Sequence, residues 1–321
     1  MRRFRVTARV ALGIAVTGGA YAAVPLSTQA SSPPVVSART LVLFNIANGQ
    51  LPENMAPAPH KSLIVSLNGD DQILHVSASG KVKILASLPQ SPTKGVNTPV
   101  VHTSFQAGIV RAPNGTIYVL YSTGEAALTG IWQLNPGSST PKLIVPLPAT
   151  SLGNGLALDA KTKTLYVADS TGTIWSAPEG GGTATVWASG PQFQPVHFLG
   201  ANGLKIHNGS VWVSSTDGQD ILQIPIESDG SAGPITTAVG GVPTIDDFNF
   251  VGKGNEIIAA LDKDNEVVLV RPGGAPSTVL DASDGLEGPT SVVVDGSTIY
   301  VASGAYNTGV NPNILVAKLG H

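Results

Sequence analysis

Four residues that lie far apart in the chain hold the same place in a repeated phrase, and all four carry oxygen atoms that can bind a metal. Glu53, Asn154, Asn202 and Asp247 each open an alternating apolar run, which a short polar turn joins to a second apolar run. Two are carboxylates and two are amides, and calcium prefers hard oxygen ligands of this kind. Two negative charges suffice for a divalent cation, and water can complete its coordination. We therefore expect these residues to hold one divalent cation, with calcium the favoured ion, if the fold brings them together.

The remaining copies of the phrase offer uncharged polar residues at the same place. Gln106 opens the second copy and Thr290 opens the sixth. His197 precedes Asn202 by five residues, with Phe198 beside it, so a loop could carry both to the rim of the same channel. We expect these four residues to contact a substrate, although a histidine in a loop is more often simply solvated.

Asp247 has a second predicted role, because a carboxylate beside a substrate carbonyl can act as general base or nucleophile. Its neighbour Asp246 is the alternative ligand, and alignment of the DF pair at Asp247 with the NG pairs favours Asp247. The Asn-Gly pairs at Asn154 and Asn202 have an alternative of their own, a type I′ hairpin turn. Their position argues against it, because both pairs open the first strand of the repeat, whereas Asn114 precedes the second strand.

The elements that must position these residues are pairs of strands. The phrase occurs six times, at intervals of 43 to 53 residues, and its turns are rich in Gly, Asn, Asp, Lys or Pro. A repeat of roughly 40 to 50 residues built from short strands is typical of a β-propeller, whose innermost strands converge on one channel. We therefore predict an all-β, six-bladed propeller with four-stranded blades. Seven blades and a stacked β-solenoid are the alternatives.

The last repeat is one strand short, and a candidate for the missing strand lies at the other end of the chain. Two more strands follow the first hairpin of the third repeat, as GTIWSAP and TATVWAS, whereas only ILVAKL follows the hairpin of the sixth. The segment TLVLFNIA from Thr40 to Ala47 would supply the fourth strand of the last blade. Such a closure leaves no open sheet edge.

Composition limits the classes of function. Of 321 residues, 42% are hydrophobic and 12% are charged, and 37 glycines and 24 prolines supply many turns. A formal charge of −3 and an isoelectric point near 6.0 leave no basic face for nucleic acid, so a small molecule is the expected partner. The six histidines form no HExxH motif, which argues against a zinc protease. The chain has no cysteine, so no disulfide can stabilise the fold.

The N-terminal segment has the layout of a secretory signal peptide. Four arginines precede an apolar stretch of about 17 residues, and small residues end it near Ala22 and Ala30. An uncleaved membrane anchor is the alternative, but the stretch is short for a span and contains two glycines. We expect residues 1–30 to be a signal peptide, 31–39 a linker and 40–321 the propeller. The mature protein would then be secreted or periplasmic, without membrane contact after cleavage.

The inner strands resemble those of the SMP-30/gluconolactonase/luciferin-regenerating-like family. The resemblance is carried by PENMA at 52–56, NGLALD at 154–159, ANGLKI at 201–206, DDFNF at 246–250 and GPTSVVV at 288–294. It covers essentially all of 40–321 and is strongest with a poorly characterised extracellular branch. It implies a six-bladed propeller with a calcium site in the central pocket, ligated by Glu, Asn, Asn and Asp from the first, third, fourth and fifth blades. Glu53, Asn154, Asn202 and Asp247 follow that order.

The resemblance implies a calcium-dependent hydrolase of a lactone or a related ester. The second blade lacks the basic residue that the lactonase branch usually offers to its substrate, because Arg111 lies further along, toward the turn. Phenylalanines flank the strand entries instead, at Phe105, Phe193, Phe198 and Phe248. These departures favour a substrate less polar than gluconolactone. Two alternatives stay open, namely a non-hydrolytic propeller that binds or cyclises an apolar metabolite, and a non-catalytic binding propeller.

Overall fold

The computed structural model describes residues 35–271 and 273–320, so the predicted signal peptide lies outside the described residues. The described chain forms six antiparallel sheets of four strands each, joined by loops and four short 3-10 helices. Within these two ranges no helix is both long and apolar enough to cross a membrane. The predicted six-bladed propeller is confirmed, in place of seven blades or a solenoid.

The strands follow one another blade by blade, except that β1 (Val35–Leu43) belongs to the last blade. Blade 1 comprises β2 (Gln50–Ala58), β3 (Ser62–Gly69), β4 (Gln72–Val76) and β5 (Val82–Ser87). Blade 2 comprises β6 (Phe105–Arg111), β7 (Ile117–Ser122), β8 (Gly130–Leu134) and β9 (Lys142–Pro146). Blade 3 comprises β10 (Gly153–Asp159), β11 (Thr164–Asp169), β12 (Thr173–Pro178) and β13 (Thr185–Ser189).

Blade 4 comprises β14 (Ala201–His207), β15 (Ser210–Ser215), β16 (Asp220–Pro225) and β17 (Thr236–Gly240). Blade 5 comprises β18 (Ile245–Phe250), β19 (Ile257–Leu261), β20 (Glu266–Val270) and β21 (Ser277–Leu280). Blade 6 comprises β22 (Pro289–Asp295), β23 (Thr298–Ser303), β24 (Asn313–Leu319) and, outermost, β1. The 3-10 helices are Ile46–Asn48, Pro59–Lys61, Pro191–Phe193 and Ala282–Asp284.

In blades 1 to 5 the innermost strand is the first strand of the blade in sequence. In blade 6 the innermost strand is β22. Each inner strand contacts the next one around the ring, and β22 contacts β2. Because neighbouring strands in a blade are antiparallel, all inner strands begin at the same end of the channel, which we call the upper end. The loops that join second to third strands, and one blade to the next, lie at that end as well.

The ring closes through the N-terminal strand, as predicted, but that strand begins and ends earlier than expected. β1 pairs antiparallel along the whole length of β24. The expected strand, Thr40–Ala47, ends too late, because residues 46–48 form a 3-10 helix whose first turn is capped by Asn45. Residues 35–39, predicted as linker, belong to β1 because β24 offers them pairing partners.

The hydrophobic core lies between neighbouring blades rather than on the channel axis. Ile73, Tyr121 and Trp132 fill the space between blades 1 and 2, and Trp212 and Phe248 lie between blades 4 and 5. Burial of each such side chain contributes about 1.5–3 kcal/mol. The blades therefore hold one another through their faces, and the channel wall is left to the inner strands.

Candidate functional site

Each inner strand is irregular near its upper end, where the predicted site residues lie. The pairing of β2 with β3 skips Glu53, whose two neighbours pair with consecutive residues of β3. The inner strands β10 and β22 skip Asn154 and Thr290 in the same way. An extra residue of this kind is a β-bulge, which re-aims a side chain and is found at barrel rims and next to active sites. Bulges thus mark one level of the channel, around the whole ring.

In blade 5 the bulge position belongs to Asp246. The pairing of β18 with β19 is regular up to Ile245 and again from Phe248, so Asp246 and Asp247 together face one residue of β19. In β2 and β10 an apolar residue stands two positions after the bulged residue, and Phe248 stands two positions after Asp246. The alignment of Asp247 with Asn154 is therefore displaced by one residue, and Asp246 is the equivalent of Asn154.

Blades 4 and 2 complete this level of the ring. In β14 the pairing is interrupted at Asn202 and Gly203, so Asn202 holds the bulge position as predicted. In β6 the interruption falls at Ala107 and Gly108, which places Ala107, not Gln106, at this level.

Three carboxylates line a cavity of about 420 Å³ at the upper end of the channel. They are Asp217, Asp246 and Asp262, and Asn202 lies with them. The remaining lining residues are His197, Phe198, Leu199, Thr216, Gln219, Thr244, Lys263 and Asn307. The cavity therefore combines an acidic and amide-bearing wall with an apolar one, and it includes two of the predicted substrate contacts.

Asp247 does not line this cavity, because its carboxylate is held elsewhere. The ammonium group of Lys205 donates to Asp247 Oδ1 at 2.6 Å, and the Ser291 hydroxyl donates to Oδ2 at 2.9 Å. The Asn54 amide donates to the same Oδ2 at 3.4 Å. Asp247 is 1% exposed. Its charge is thus balanced by Lys205 within the channel wall, which leaves Asp246 as the carboxylate of this pair that faces the cavity.

Glu53 is buried and receives a hydrogen bond from Tyr306, a residue that no sequence motif indicated. The Tyr306 hydroxyl donates to Glu53 Oε2 at 2.5 Å and accepts from the Asn68 amide at 3.0 Å. The ring of Tyr306 is 40% exposed, while its hydroxyl end reaches these two buried side chains. Burial raises the pKa of Glu53 to about 8, against the opposing effect of the Tyr306 hydrogen bond, and the charges of Asp262 and Asp247 add to the rise.

The two carboxylates that face the cavity from blade 5 also resist ionisation. Burial raises the pKa of Asp246 well above its usual range, and the charges of Glu53, Asp262 and Asp247 raise it further. Burial raises the pKa of Asp262 to about 6, although the Asn307 amide donates to Asp262 Oδ2 at 2.8 Å. Two acidic groups are thus buried at this cavity, and neither belongs to an ion pair in the described part of the chain.

The two asparagines are oriented by hydroxyl groups on their own blades. The Asn202 amide nitrogen donates to the Thr216 hydroxyl at 3.0 Å, and that of Asn154 donates to Ser170 at 3.4 Å. Each hydroxyl in turn donates to a backbone carbonyl of the next inner strand, at 2.8 Å. The nitrogen atoms are therefore anchored in the blade, and the Oδ1 of Asn202 is left buried without a hydrogen-bond donor.

The oxygen atoms of these side chains are ligands of the kind that calcium prefers. The unpartnered Oδ1 atoms of Asn202 and Asp262, and the mutual repulsion of the carboxylates, are both relieved by an oxygen-bound cation. In residues 35–271 and 273–320 no three His, Asp or Glu side chains form a metal-holding group by themselves. An ion at this level therefore depends on the amide oxygens as well as on Glu53 and Asp246.

Of the four predicted substrate contacts, two line the cavity and two are tied into the sheets. Gln106 is fully buried, and its amide nitrogen donates to the Gln72 carbonyl at 3.1 Å. The Thr290 hydroxyl donates to the Pro52 carbonyl at 3.0 Å. His197 and Phe198 lie at the cavity, and Phe198 is 54% exposed.

A single carboxylate holds the loop that carries His197 and Phe198. The backbone N–H groups of Val196, His197 and Phe198 donate to Asp217 Oδ2 at 2.8, 2.7 and 2.8 Å. Partial burial disfavours the charge of Asp217, but these three donors outweigh it and lower its pKa. The ionised carboxylate of Asp217 therefore fixes this loop over the cavity, and its hydrogen bonds stabilise its charge without a bound metal.

Four residues of the site were not found from the sequence: Asp217, Asp262, Tyr306 and Asn307. All four lie in loops at the upper end, outside the repeated phrase. Their chemistry is ordinary for exposed loops, so neither composition nor spacing distinguishes them. For Asp246 a signal did exist, namely the apolar residue two positions later in the other inner strands.

No family model matches the chain, and no curated protein matches it in sequence. Solved structures do match it. A gluconolactonase from Xanthomonas campestris is 14% identical, with a TM-score of 0.63 over 88% of this chain and 89% of its own. A luciferin-regenerating enzyme is 13% identical, with a TM-score of 0.61 over 86% and 94%. A virginiamycin B lyase from Staphylococcus aureus is 15% identical, with a TM-score of 0.59 over 88% and 99%.

At these identities the likeness shows the fold alone, and the same fold serves enzymes named for different reactions. The expected resemblance to the SMP-30/gluconolactonase/luciferin-regenerating-like family is confirmed at the level of the fold. The closer resemblance to its extracellular branch stays a prediction. The chain has the six-bladed propeller architecture shared by gluconolactonase and luciferin-regenerating enzyme.

Proposed function

We propose that the protein is a calcium-dependent hydrolase of a lactone or a related ester. One observation carries the proposal: four oxygen-bearing residues occupy equivalent bulges around one end of the channel, beside a cavity that also holds the carboxylate Asp262. The gluconolactonase among the structural neighbours supports the same reaction class.

The cation would be held by Glu53, Asn154, Asn202 and Asp246, with Asp246 in place of the predicted Asp247. A bound calcium would polarise the carbonyl oxygen of the ester and orient a water molecule. A hydrogen bond from Tyr306 orients Glu53, and one to Thr216 orients Asn202. The ligands are thus positioned by hydrogen bonds before any ion is present, which lowers the cost of ordering them on binding.

Asp262 is the group best placed to accept a proton in the cavity. Its Oδ1 has no hydrogen-bond partner, while Asn307 orients the carboxylate through Oδ2. A general base works best when its pKa lies near the working pH, and burial raises the pKa of Asp262 to about 6. We therefore assign proton abstraction from the attacking water to the carboxylate of Asp262, a role that the sequence had suggested for Asp247.

The opposite wall of the cavity favours an apolar substrate body. Phe198 and Leu199 line it, and His197 stands beside them on the loop fixed by Asp217. Lys263 is the only basic residue with a permanent charge among the lining residues of this cavity. A lactone or ester with an apolar or aromatic substituent therefore fits better than a sugar acid.

The expected export of the protein belongs to the same proposal. An exported enzyme meets calcium at concentrations that suit even a weak site, since extracellular calcium modules work at about 10⁻⁴–10⁻³ M. N-terminal sequencing of the protein recovered outside the cytoplasm tests this point, and an intact Met1 there would contradict cleavage.

The decisive experiment is a panel of small and aromatic lactones and esters, assayed with calcium and with a chelator. We expect at least one compound to be hydrolysed only when calcium is present. Asp262→Asn should lower kcat by at least about 100-fold, the lower range for a lost general base. Glu287→Gln, on the same end of the ring, is the matched control and should retain activity. If no compound turns over while an apolar metabolite binds in the cavity, the non-hydrolytic alternative replaces this proposal.

A further inference from the structure

The seam between blades 1 and 2 contains a second concentration of oxygen atoms, apart from the residues that line the upper cavity. The turn between β3 and β4 consists of Asp70 and Asp71. Asp71 is 7% exposed, and its Oδ2 accepts from the Tyr121 hydroxyl at 2.9 Å and from the Ser104 hydroxyl at 3.3 Å. Tyr121 belongs to blade 2 and Ser104 to the loop that enters it, so this carboxylate bridges two blades.

Three buried oxygen atoms at this seam accept no hydrogen bond. They are Asp70 Oδ1, Asp71 Oδ1 and Gln106 Oε1. Gln106 is fully buried, and its Nε2 donates to the Gln72 carbonyl, which holds the amide against the turn. Buried polar atoms are almost always paired, so three unpaired acceptors at one seam need a common explanation.

The missing partner has to be positively charged, because all three atoms are acceptors and two belong to carboxylates. The ion pairs of the described residues are Lys205–Asp247 and Arg271–Glu256, so neither Asp70 nor Asp71 has a basic partner there. Lys94 lines the adjacent cavity of about 560 Å³ with Asp71, but its side chain is exposed and makes no ion pair with it.

We propose that the blade 1–2 seam is a second cation site, with a calcium-like ion held by Asp70, Asp71 and Gln106. Oxygen-only ligation with two carboxylates and one amide suits calcium rather than zinc or copper. The site also gives Gln106 a role that its position away from the upper cavity leaves unexplained.

The position of the seam indicates what the ion would do. The backbone carbonyl of Asp71 accepts from Leu88 N–H, at the start of the long loop that leads into β6, and Ser104 ends that loop. An ion bound to this turn would therefore tie both ends of the loop to blade 1. It stabilises the ring at its first seam and takes no part in the reaction of the upper cavity.

Calcium titration of the full chain by calorimetry counts the sites. We expect two calcium ions per wild-type chain, one for Asp71→Asn, one for Asp246→Asn and none for the double variant. If the upper site fails but the seam site exists, the wild type binds one ion and Asp71→Asn binds none. Asp71→Asn that keeps the wild-type stoichiometry overturns the seam site, whatever the upper site does.

A second variant covers the case in which Asp71→Asn fails to fold. Gln106→Met removes one neutral oxygen with little change in size, and it should weaken the seam site by at least about tenfold, as loss of a supporting partner does at metal sites. Terbium bound at the seam should show luminescence sensitised by Tyr121, and Tyr121→Phe should remove that signal in an Asp246→Asn background. Unchanged affinity in Gln106→Met, together with no Tyr121-dependent luminescence, would refute the proposal.

Discussion

Asp246 and Asp247 are adjacent and chemically identical, yet the bulge in β18 gives them separate environments. Asp246 faces the upper cavity with Asn202, whereas Asp247 forms an ion pair with Lys205 and accepts a hydrogen bond from Ser291. The sequence pointed to this pair, but an alignment on the polar residues favoured Asp247, whereas an alignment on the apolar residue that follows places Asp246 at the cavity. A bulge inserts a single residue into one strand, and the amino-acid composition of that strand does not indicate where the bulge lies.

The pair allows a matched test. Asp246→Asn removes one of two charges facing the ion, so calcium affinity should fall by orders of magnitude with little loss of stability. Asp247→Asn should leave the affinity nearly unchanged but cost about 1–3 kcal/mol, between the values for exposed and buried ion pairs, because Lys205 is 23% exposed. Calorimetric titration and urea unfolding of both variants measure the two quantities. The reverse result would return the ligand role to Asp247.

The buried carboxylates at the upper end of the channel also predict an unusual dependence of stability on pH. Folding raises the pKa of Asp262 from 3.8 to about 6 and that of Glu53 from 4.5 to about 8, mainly through burial. The folded state then binds more protons than the unfolded state between these limits, so the metal-free protein should lose stability as the pH rises from 4 to 8. A loss of about 2 kcal/mol corresponds to a fall of roughly 4–8 °C in the melting temperature.

Calcium should reverse this trend, because it binds the ionised carboxylates and competes with their protons. Thermal unfolding at several pH values, with calcium and with a chelator, tests both statements. A metal-free protein that is more stable at pH 8 than at pH 5 would contradict the assignment of these two groups.

At the scale of elements, the strands of the propeller were predictable and its loops were not. The alternation of apolar residues and the recurring turns specify hairpins, and six hairpins at similar intervals specify a ring. The upper loops follow no such period, and they supply Asp217, Asp262, Tyr306 and Asn307. These side chains meet only through the closure of the ring, so their proximity is a property of the tertiary structure.

The inner strands approach one another closely, and glycine permits this at the level of the site. A Cβ on Gly155 would lie against the backbone of Asn202 and Leu204, which cannot rotate away as a flexible side chain could. Gly155→Ala should therefore destabilise the protein by about 1–3 kcal/mol, as overpacking does, and should also disturb the calcium site at Asn202. Gly254→Ala meets no atom within 4 Å and is the matched control, expected to change stability by less than about 0.5 kcal/mol. Equal unfolding midpoints in urea for the two variants would show that the strands can separate.

At the scale of the whole molecule, charge is distributed unevenly along the channel axis. The loops at the upper end, as defined by the strand limits, contain nine aspartates and glutamates and two lysines. Such a field attracts cations toward the cavity and disfavours anionic substrates, and it would assist the departure of a carboxylate product. The overall charge of −3 gave no hint of this asymmetry, because it depends on which end of the ring each loop occupies.

The closure of the ring is also a property of the whole molecule, and it can be tested by truncation. β1 covers the outer edge of β24, so deletion of residues 1–43 should expose that edge and the apolar side chains behind it, and lead to aggregation. Deletion of residues 1–34 leaves β1 intact and is the matched control. Light scattering and the melting temperature of the two truncated proteins distinguish them, since the loss of β1 removes one of the four strands of blade 6. If both remained monomeric with the same melting temperature, the blade would hold with three strands, and β1 would be an accessory to the ring rather than its closure.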